Sequence, residues 1–267
     1  MCECLRRGAV VVTPSLYALY DPPSAPPEVR GPVDDAIAAG GGRLLVTGID
    51  PGWGNDLLPV LMSGLMSEIS SIRCLELFDY STYDQEESVR YLVGMGQPMT
   101  DTPPMVAEGV PTLVWGGQLR LMARALGLTL DSIVERVQRR PLDHTVETQL
   151  GTFEAGTQGA LRFEVVGVAD GHDRLVIEHV TRISPHVAPD WPAPADGGAG
   201  AHVLQLRGFP DLDVTITATD AAGNRAAGGN ATAAGRLVGA IEWLYSAAPG
   251  IYDGLSVPLS PGHRRWT

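Results

Sequence analysis

Residues 43–58 read RLLVTGIDPGWGNDLL, an apolar run followed by a turn with three glycines and one proline. The apolar run at 43–48 is too continuous for a half-exposed strand, which indicates a parallel strand buried on both faces. Upstream, AVVVT at 9–13 predicts a strand, and EVRGPVDDAIAAGGG at 28–42 predicts a helix closed by glycine. The chain therefore opens as strand, helix, strand, in the α/β manner.

The turn at 48–56 joins the second strand to a helix that the apolar spacing places from about Asn55 to Ile69. Amide groups at a helix start and the carboxyl edge of an α/β sheet both favour ligands, and glycines permit close approach of backbone. The same residues also suit a tight connection in which Trp53 fills an apolar gap. The local sequence leaves these two interpretations open.

Later segments predict an α+β architecture. The run at 112–128 predicts a helix, and TLDSIVERVQRR at 129–140 predicts another. From about residue 147 the pattern changes to strands, with a hairpin turn at 170–173, and a long helix follows from a polar cap near Asn230. We expect an α/β remnant of a Rossmann domain, then an α+β domain with a largely antiparallel sheet covered by helices on one face.

Composition excludes several functions. The net charge of −12 disfavours binding to nucleic acid. No apolar run is long enough for a transmembrane helix, and no signal peptide is evident, so a cytoplasmic location is expected. All 19 basic residues are arginine, which rules out Schiff-base lysines and P-loop lysines.

Several common motifs are missing. The chain contains no G-x-G-x-x-G, no G-x-S-x-G and no H-E-x-x-H or H-x-H. Its three cysteines are too few and too unevenly placed for a disulfide framework. We expect no metal site and no serine-hydrolase chemistry.

Three stretches together resemble the dihydrodipicolinate-reductase-like oxidoreductases, and most closely the branch of 2,4-diaminopentanoate dehydrogenase and native amine dehydrogenases. They are AVVVTPS at 9–15, TGIDPGWGNDLLP at 47–59 and NATAAGRLVGAIEWLYSAAPGIYD at 230–253. The biosynthetic reductases have an H-H-x-x-K pattern, which is not found here.

The resemblance implies an enzyme that transfers hydride between NADP or NAD and an imine carbon, thereby linking an amine to a ketone and ammonia. It implies a dinucleotide-binding part at 1–50, a substrate and oligomerisation domain at 51–245, and a tail at 246–267 that returns toward the nucleotide-binding part. The implied partners are a small amine, ketone or amino-acid-like substrate and a second copy of the chain in a homodimer.

The resemblance also suggests site residues. Those expected beside the cofactor are Thr13, Pro14, Ser15, Gly48, Asp50, Pro51 and Gly52. Candidate proton carriers are Asp50, Tyr17 and His202.

Three departures from the family pattern are visible. The amine-active relatives have a glutamate just after the first strand, where this chain has Leu16 and Tyr17, and Asp50 replaces an asparagine. The cofactor fingerprint is also missing, so we expect an N-terminally truncated chain with impaired cofactor binding. The alternatives are a non-catalytic binding or oligomerisation remnant and a different small-molecule enzyme on the same scaffold.

Overall fold

The computed structural model describes residues 1–258. Its helices are α1 (Cys2–Arg6), α2 (Pro27–Gly40), α3 (Leu57–Ser63), α4 (Val110–Leu126) and α5 (Arg225–Ser246). Its strands are β1 (Val10–Thr13), β2 (Arg43–Val46), β3 (Glu68–Asp79), β4 (Ser132–Pro141), β5 (Val146–Thr148), β6 (Gly151–Phe153), β7 (Gln158–Ala169), β8 (His172–Arg182), β9 (Gly200–Phe209), β10 (Leu212–Ile216) and β11 (Gly250–Tyr252). Within these residues, no helix combines the length and apolar character needed to cross a membrane.

The described chain has an α/β fold that divides into two compact units. The first contains Met1–Leu61, Leu113–Thr129 and the chain from Thr232 onward, and the second contains Met62–Thr112 and Leu130–Ala231. Residues 51–61, 113–129 and 232–245 thus group with the first unit, and the predicted division at residues 50 and 245 stays a prediction. The predicted tail at 246–267 continues past the described residues, and the roles assigned to the domains stay predictions.

The first unit is built on a parallel sheet in the order β1-β2-β11. Central strand β2 is buried on both faces, as its apolar run predicts. Leu44 and Val46 pack with Val33 and Ile37 of α2 in one cluster. Leu45 packs in a second cluster with Ala240 and Leu244 of α5. Alternate residues of β2 thus enter two separate cores.

Helix α2 has the expected terminal residues. Pro27 occupies its first turn, where the missing N–H is harmless. Gly41 follows the helix in the left-handed conformation, with φ of 73°, and its N–H donates to Ile37 O at 2.7 Å. This closure returns the chain directly to β2, which begins at Arg43.

The second unit holds a six-stranded sheet in the order β10-β9-β3-β8-β7-β4 and a small hairpin, β5-β6. The sheet is mixed, because β3 and β8 run parallel at its centre while the other neighbours are antiparallel. The prediction of a largely antiparallel sheet is corrected accordingly. A long connection from β3 to β8 allows the parallel pairing, which a short hairpin could not supply. The Rossmann assignment and the helical cover of one sheet face stay predictions.

Two helix predictions are wrong. The segment at 129–140 forms edge strand β4 instead of a helix, because Ile133, Val134 and Val137 are β-branched and the strand pairs with β7 throughout its length. Helix α3 ends at Ser63, and the residues from Glu68 onward pair with β9. The apolar spacing of both segments also fits a helix, so the sequence pattern alone could not distinguish a helix from a strand.

Helix α5 begins five residues before the predicted cap at Asn230. Asn224 performs that function instead, since its Oδ1 accepts a hydrogen bond of 3.0 Å from Ala227 N. Asn230 lies inside the helix and is exposed. The hairpin predicted at 170–173 is confirmed, with positive φ at Asp170 and Gly171 between β7 and β8.

Candidate functional site

The carboxyl ends of three parallel strands meet at one edge of the first unit. Strand β1 ends in Thr13, β2 is followed by Thr47, and β11 is followed by Asp253. A hydrogen bond of 3.0 Å from Thr47 N to Thr13 O continues the pairing of β1 and β2 to this edge. Open α/β sheets bind ligands at such an edge. All the residues that the sequence predicted to lie beside the cofactor are in β1 or in the loops at this edge.

The loop after β1 is short and polar. Thr13 Oγ1 lies 3.0 Å from Ser15 Oγ and accepts a hydrogen bond of 3.2 Å from Ser15 N. Pro14 and Ser15 are exposed. A Cβ built on Gly48 would lie 3.6 Å from Pro14 Cβ, so the loops after β1 and β2 touch. The structure therefore brings the two groups of predicted cofactor residues together.

The turn after β2 is held by its own backbone. Trp53 N donates to Gly48 O at 3.1 Å, and Gly54 N donates to Ile49 O at 2.9 Å. Gly52 has φ of 153°, and a Cβ there would lie 2.2 Å from the carbonyl carbon of Gly48. The close packing of Gly52 against the Gly48 backbone thus requires glycine at 52. The role of Gly52 in cofactor binding stays a prediction. The Asp50–Pro51 peptide in this turn is cis.

Helix α3 starts at Leu57, two residues later than predicted. Its first amide groups are already bonded: Leu57 N donates to the Asp56 carboxylate, and Leu58 N donates to Trp53 O at 2.9 Å. These two amide groups, which the sequence predicted to be free for a ligand, are therefore engaged by the turn itself. Asn55 is 1% exposed, and its Oδ1 accepts a hydrogen bond of 3.1 Å from Gly52 N. Its Nδ2 is buried without a partner among residues 1–258.

Asp50 is one of the two aspartates of the turn and is half-buried. Its Oδ1 accepts a hydrogen bond of 2.7 Å from the indole Nε1 of Trp115, which lies on α4. A hydrogen bond from a rigid ring restricts the orientation of a carboxylate. Sequence reasoning missed Trp115 because it lies 65 residues away along the chain.

Beneath the turn lies a buried polar group that the sequence did not predict. Tyr20 OH donates a hydrogen bond of 2.8 Å to Asp56 Oδ2, and the two residues are 0% and 1% exposed. Arg236 Nε donates at 3.3 Å to Oγ1 of Thr47, which is also fully buried. The adjacent Asn55 and Asp56 in the turn could have indicated a polar cluster from the sequence. Their partners, however, come from distant segments of the chain.

Burial dominates the ionisation of this pair. It raises the pKa of the Tyr20 hydroxyl well above its usual range, and the charge of Asp56 acts in the same direction. Burial also raises the pKa of the Asp56 carboxyl, although the hydrogen bond from Tyr20 opposes it. The charge of Arg236 lowers both pKa values and only partly offsets burial.

A second group of charges follows β11. Arg124 of α4 donates to Asp21 Oδ1 at 2.8 Å and also to the Asp253 carboxylate. Asp253 Oδ1 accepts hydrogen bonds of 2.9 Å from Ser256 N and 2.7 Å from Ser256 Oγ. Asp21 and Asp253 are 4% and 6% exposed, so these buried carboxylates are paired as expected. They fix the segment after β11 to α4.

The remaining predicted proton carriers lie in different places. Tyr17 begins a short 3-10 helix after the β1 loop and is half-buried, and its hydroxyl makes no hydrogen bond to residues 1–258. His202 belongs to the second unit, on β9, where it pairs with Glu76 of β3. The His202 ring packs edge-on against Phe78, with centroids 5.4 Å apart. The catalytic roles of Asp50, Tyr17 and His202 stay predictions.

Residues 55–262 match the 2,4-diaminopentanoate dehydrogenase C-terminal domain, which is more than half of the chain. The chain is 62% identical over 260 residues to an amine dehydrogenase of Streptomyces virginiae, covering 97% of this chain and 72% of that protein. It is 23% identical over 241 residues to the 2,4-diaminopentanoate dehydrogenase of Acetoanaerobium sticklandii, covering 89% of this chain and 64% of that protein.

The fold is similar to that of the amine dehydrogenase from Mycobacterium smegmatis, with a TM-score of 0.74 at 18% identity. The alignment covers 97% of this chain and 71% of that structure. The chain thus spans between about two thirds and three quarters of the length of each of these relatives.

Proposed function

Because this chain belongs to the 2,4-diaminopentanoate dehydrogenase family, we propose that it is an NAD(P)-dependent oxidoreductase of the amine dehydrogenase type. The observation that carries the proposal is the 62% identity to an amine dehydrogenase over 97% of the chain. The substrate would be a small amine or the corresponding ketone with ammonia.

The sheet edge of the first unit supports a position for the nicotinamide end of the cofactor. Thr13, Ser15 and Asp50 supply polar groups there that are exposed or half-buried. Asn55 Nδ2 is a buried donor that lacks an acceptor among residues 1–258, and a nicotinamide carboxamide offers one. Pro14, Gly48, Pro51 and Gly52 would form the backbone wall of the same cleft.

The chemistry that the nicotinamide supplies when bound is a reversible hydride transfer at an imine carbon. The protein has to orient the reacting carbon and move protons at the nitrogen. We assign the first choice for proton transfer to the Asp50 carboxylate, because Trp115 restricts its orientation. Tyr17 and His202 remain candidates for the same role.

The activity can be tested by following NADPH or NADH oxidation with small aliphatic ketones and ammonium. We expect oxidation that requires both the ketone and ammonium. Oxidation with the ketone alone would indicate an alcohol dehydrogenase instead. Lack of turnover with any ketone at any cofactor concentration would favour a non-catalytic binding or oligomerisation role.

We also propose that cofactor binding by this chain is weak, since its 267 residues contain no G-x-G-x-x-G for the pyrophosphate. Titration of NADPH and NADH, followed by their fluorescence, tests this directly. Saturation at micromolar concentrations would contradict the proposal. The same titration would decide between NADP and NAD.

A homodimer is the oligomeric state that we propose. Exposed apolar side chains support an interface at one end of the β3–β9 pair, where Ile69 is 41% and Phe209 67% exposed. Light scattering coupled to size exclusion measures the mass of the particle. We expect a dimer from the unchanged chain and a shift toward monomer for Phe209→Ser. A monomeric unchanged chain would contradict the proposal.

A further inference from the structure

The second unit contains a cavity of about 360 Å³ at the end of its central parallel strands. Strand β3 ends at Asp79 and β8 ends at Arg182, and both residues line the cavity. Phe78 and residues 185, 189, 193, 194 and 197–199, on the segment that follows β8, form the rest of its wall. The volume is within the range of pockets that bind small molecules.

Arg182 is a buried cation, 5% exposed, that holds this segment in place. Its Nε donates to Val187 O at 3.0 Å. Its Nη2 donates to three further carbonyls: Ala188 O at 3.1 Å, Trp191 O at 3.1 Å and Pro192 O at 3.0 Å. These bonds leave Nη1 without a hydrogen bond to the described part of the chain.

No carboxylate among residues 1–258 forms an ion pair with Arg182. Burial lowers the pKa of its guanidinium, while the charges of Asp79 and Asp190 act in the opposite direction. Carbonyl oxygens satisfy hydrogen bonds but only partly compensate a buried positive charge. A small anion in the cavity would supply the missing charge.

Asp79 provides the opposite charge in the same cavity. One of its oxygens, Oδ1, accepts a hydrogen bond of 2.9 Å from Ser81 N. The other makes no hydrogen bond within the described residues, and Asp79 is half-buried. Asp79 and Arg182 thus line one cavity without pairing with each other.

We propose that this cavity binds a small α-amino acid. Its carboxylate would pair with Arg182 and its ammonium group with Asp79, because a zwitterion satisfies both charges at once. Its side chain would be apolar, since Phe78, Pro185 and Pro189 supply the adjacent wall. Calorimetry on the chain without NAD(P)H tests this, so a failure here is separable from a failure of the proposed reaction.

The probes are valine, 3-methylbutanoate, which lacks the amine, and isobutylamine, which lacks the carboxylate. We expect saturable binding of valine, and binding roughly tenfold or more weaker for each analogue. Equal binding of valine and isobutylamine would overturn the role of Arg182. Equal binding of valine and 3-methylbutanoate would overturn that of Asp79. Absence of saturable valine binding at millimolar concentration would overturn the proposal as a whole.

Three variants locate the binding without disturbing the Arg182 bonds. Asp79→Asn keeps an acceptor for Ser81 N and should reduce valine affinity to that of 3-methylbutanoate. Ala193→Leu fills the cavity and should weaken valine roughly tenfold. Ala195→Leu is the matched control, since Ala195 is exposed on the same segment and does not line the cavity. Equal effects of the two leucine variants would place valine elsewhere.

Discussion

The indole Nε1 of Trp115 donates a hydrogen bond of 2.7 Å to Oδ1 of Asp50, so α4 fixes this side chain in the turn after β2. If Asp50 works at the reacting nitrogen, Trp115 acts as a positioning residue. Trp115→Phe keeps the aromatic volume and removes the donor. We expect kcat/KM for reductive amination to fall by roughly tenfold to a hundredfold.

A double variant distinguishes positioning from packing. Asp50→Asn alone removes the carboxylate, so adding Trp115→Phe to it should lower kcat/KM no further if Trp115 acts through Asp50. A further fall in the double variant, as large as that of Trp115→Phe alone, would mean that Trp115 only packs.

The buried hydrogen bond between Tyr20 and Asp56 predicts a stability effect. Tyr20→Phe leaves Oδ2 of the buried Asp56 carboxylate without its donor, and should lower the free energy of unfolding by about 1.5–3 kcal/mol. Urea denaturation measures the change. Tyr17→Phe is the control, because the Tyr17 hydroxyl makes no hydrogen bond to the described residues. Similar changes in the two variants would contradict the prediction.

The turn after β2 predicts that glycine is required at 52. Gly52→Ala places a methyl group 2.2 Å from the carbonyl carbon of Gly48. We expect a loss of about 2 kcal/mol or more in unfolding free energy. Gly31→Ala, in α2, meets nothing within 4 Å and should stabilise by about 0.5–1 kcal/mol. A neutral Gly52→Ala in the same denaturation assay would refute the packing of this turn.

The structure and the sequence place the N-terminal cap of α5 at different residues, Asn224 and Asn230. Asn224→Ala removes the acceptor for Ala227 N and should destabilise by about 1 kcal/mol. Asn230→Ala alters an exposed helical position and should change stability by less than about 0.5 kcal/mol. Thermal unfolding of the two variants measures both effects. A larger loss of stability in Asn230→Ala than in Asn224→Ala would favour the cap predicted at Asn230.

The sheet of the second unit carries an ionic cluster that predicts pH dependence. Arg73 bonds to Glu164 at 2.6 Å and also contacts Glu178. Burial alone would raise the pKa of the Glu164 carboxyl, but the hydrogen bond and charge of Arg73 lower it overall. Since the folded pKa lies below the unfolded value of about 4.3, this contribution is present above that pH and is lost as pH falls through the folded pKa.

Glu164→Gln should therefore make the loss of unfolding free energy between about pH 6 and about pH 3 shallower. Glu108→Gln is the matched control, because Glu108 is exposed and makes no ion pair among the described residues. Urea denaturation at several pH values measures both slopes. Equal slopes for Glu164→Gln and the unchanged chain would contradict the assignment.

The sequence predicted the part of the fold in which local pattern and environment agree. The apolar run of β2 indicated a strand buried on both faces, and Leu44 and Leu45 enter two different cores. Edge strand β4 was mispredicted because its apolar residues fit both periods, and only the pairing with β7 distinguishes them. Local pattern carries no information about such a partner.

The candidate site shows the same limit. Proximity of the loops after β1 and β2 could be predicted, since parallel strands end at one edge. The bonds from Trp115 to Asp50 and from Tyr20 to Asp56 connect residues 65 and 36 positions apart. Neither pair produces a periodic pattern in the sequence, so these contacts could be identified only from the structure.

The pairing of β11 with β2 has a consequence for biosynthesis. β2 lies near the start of the chain, and its second neighbour begins only at Gly250. All the strands of the six-stranded sheet are translated between these two. We therefore expect the six-stranded sheet of the second unit to form during translation, before β11 is available to pair with the second edge of β2. In a nascent chain stalled before residue 250, that edge is open to chaperones and to other chains.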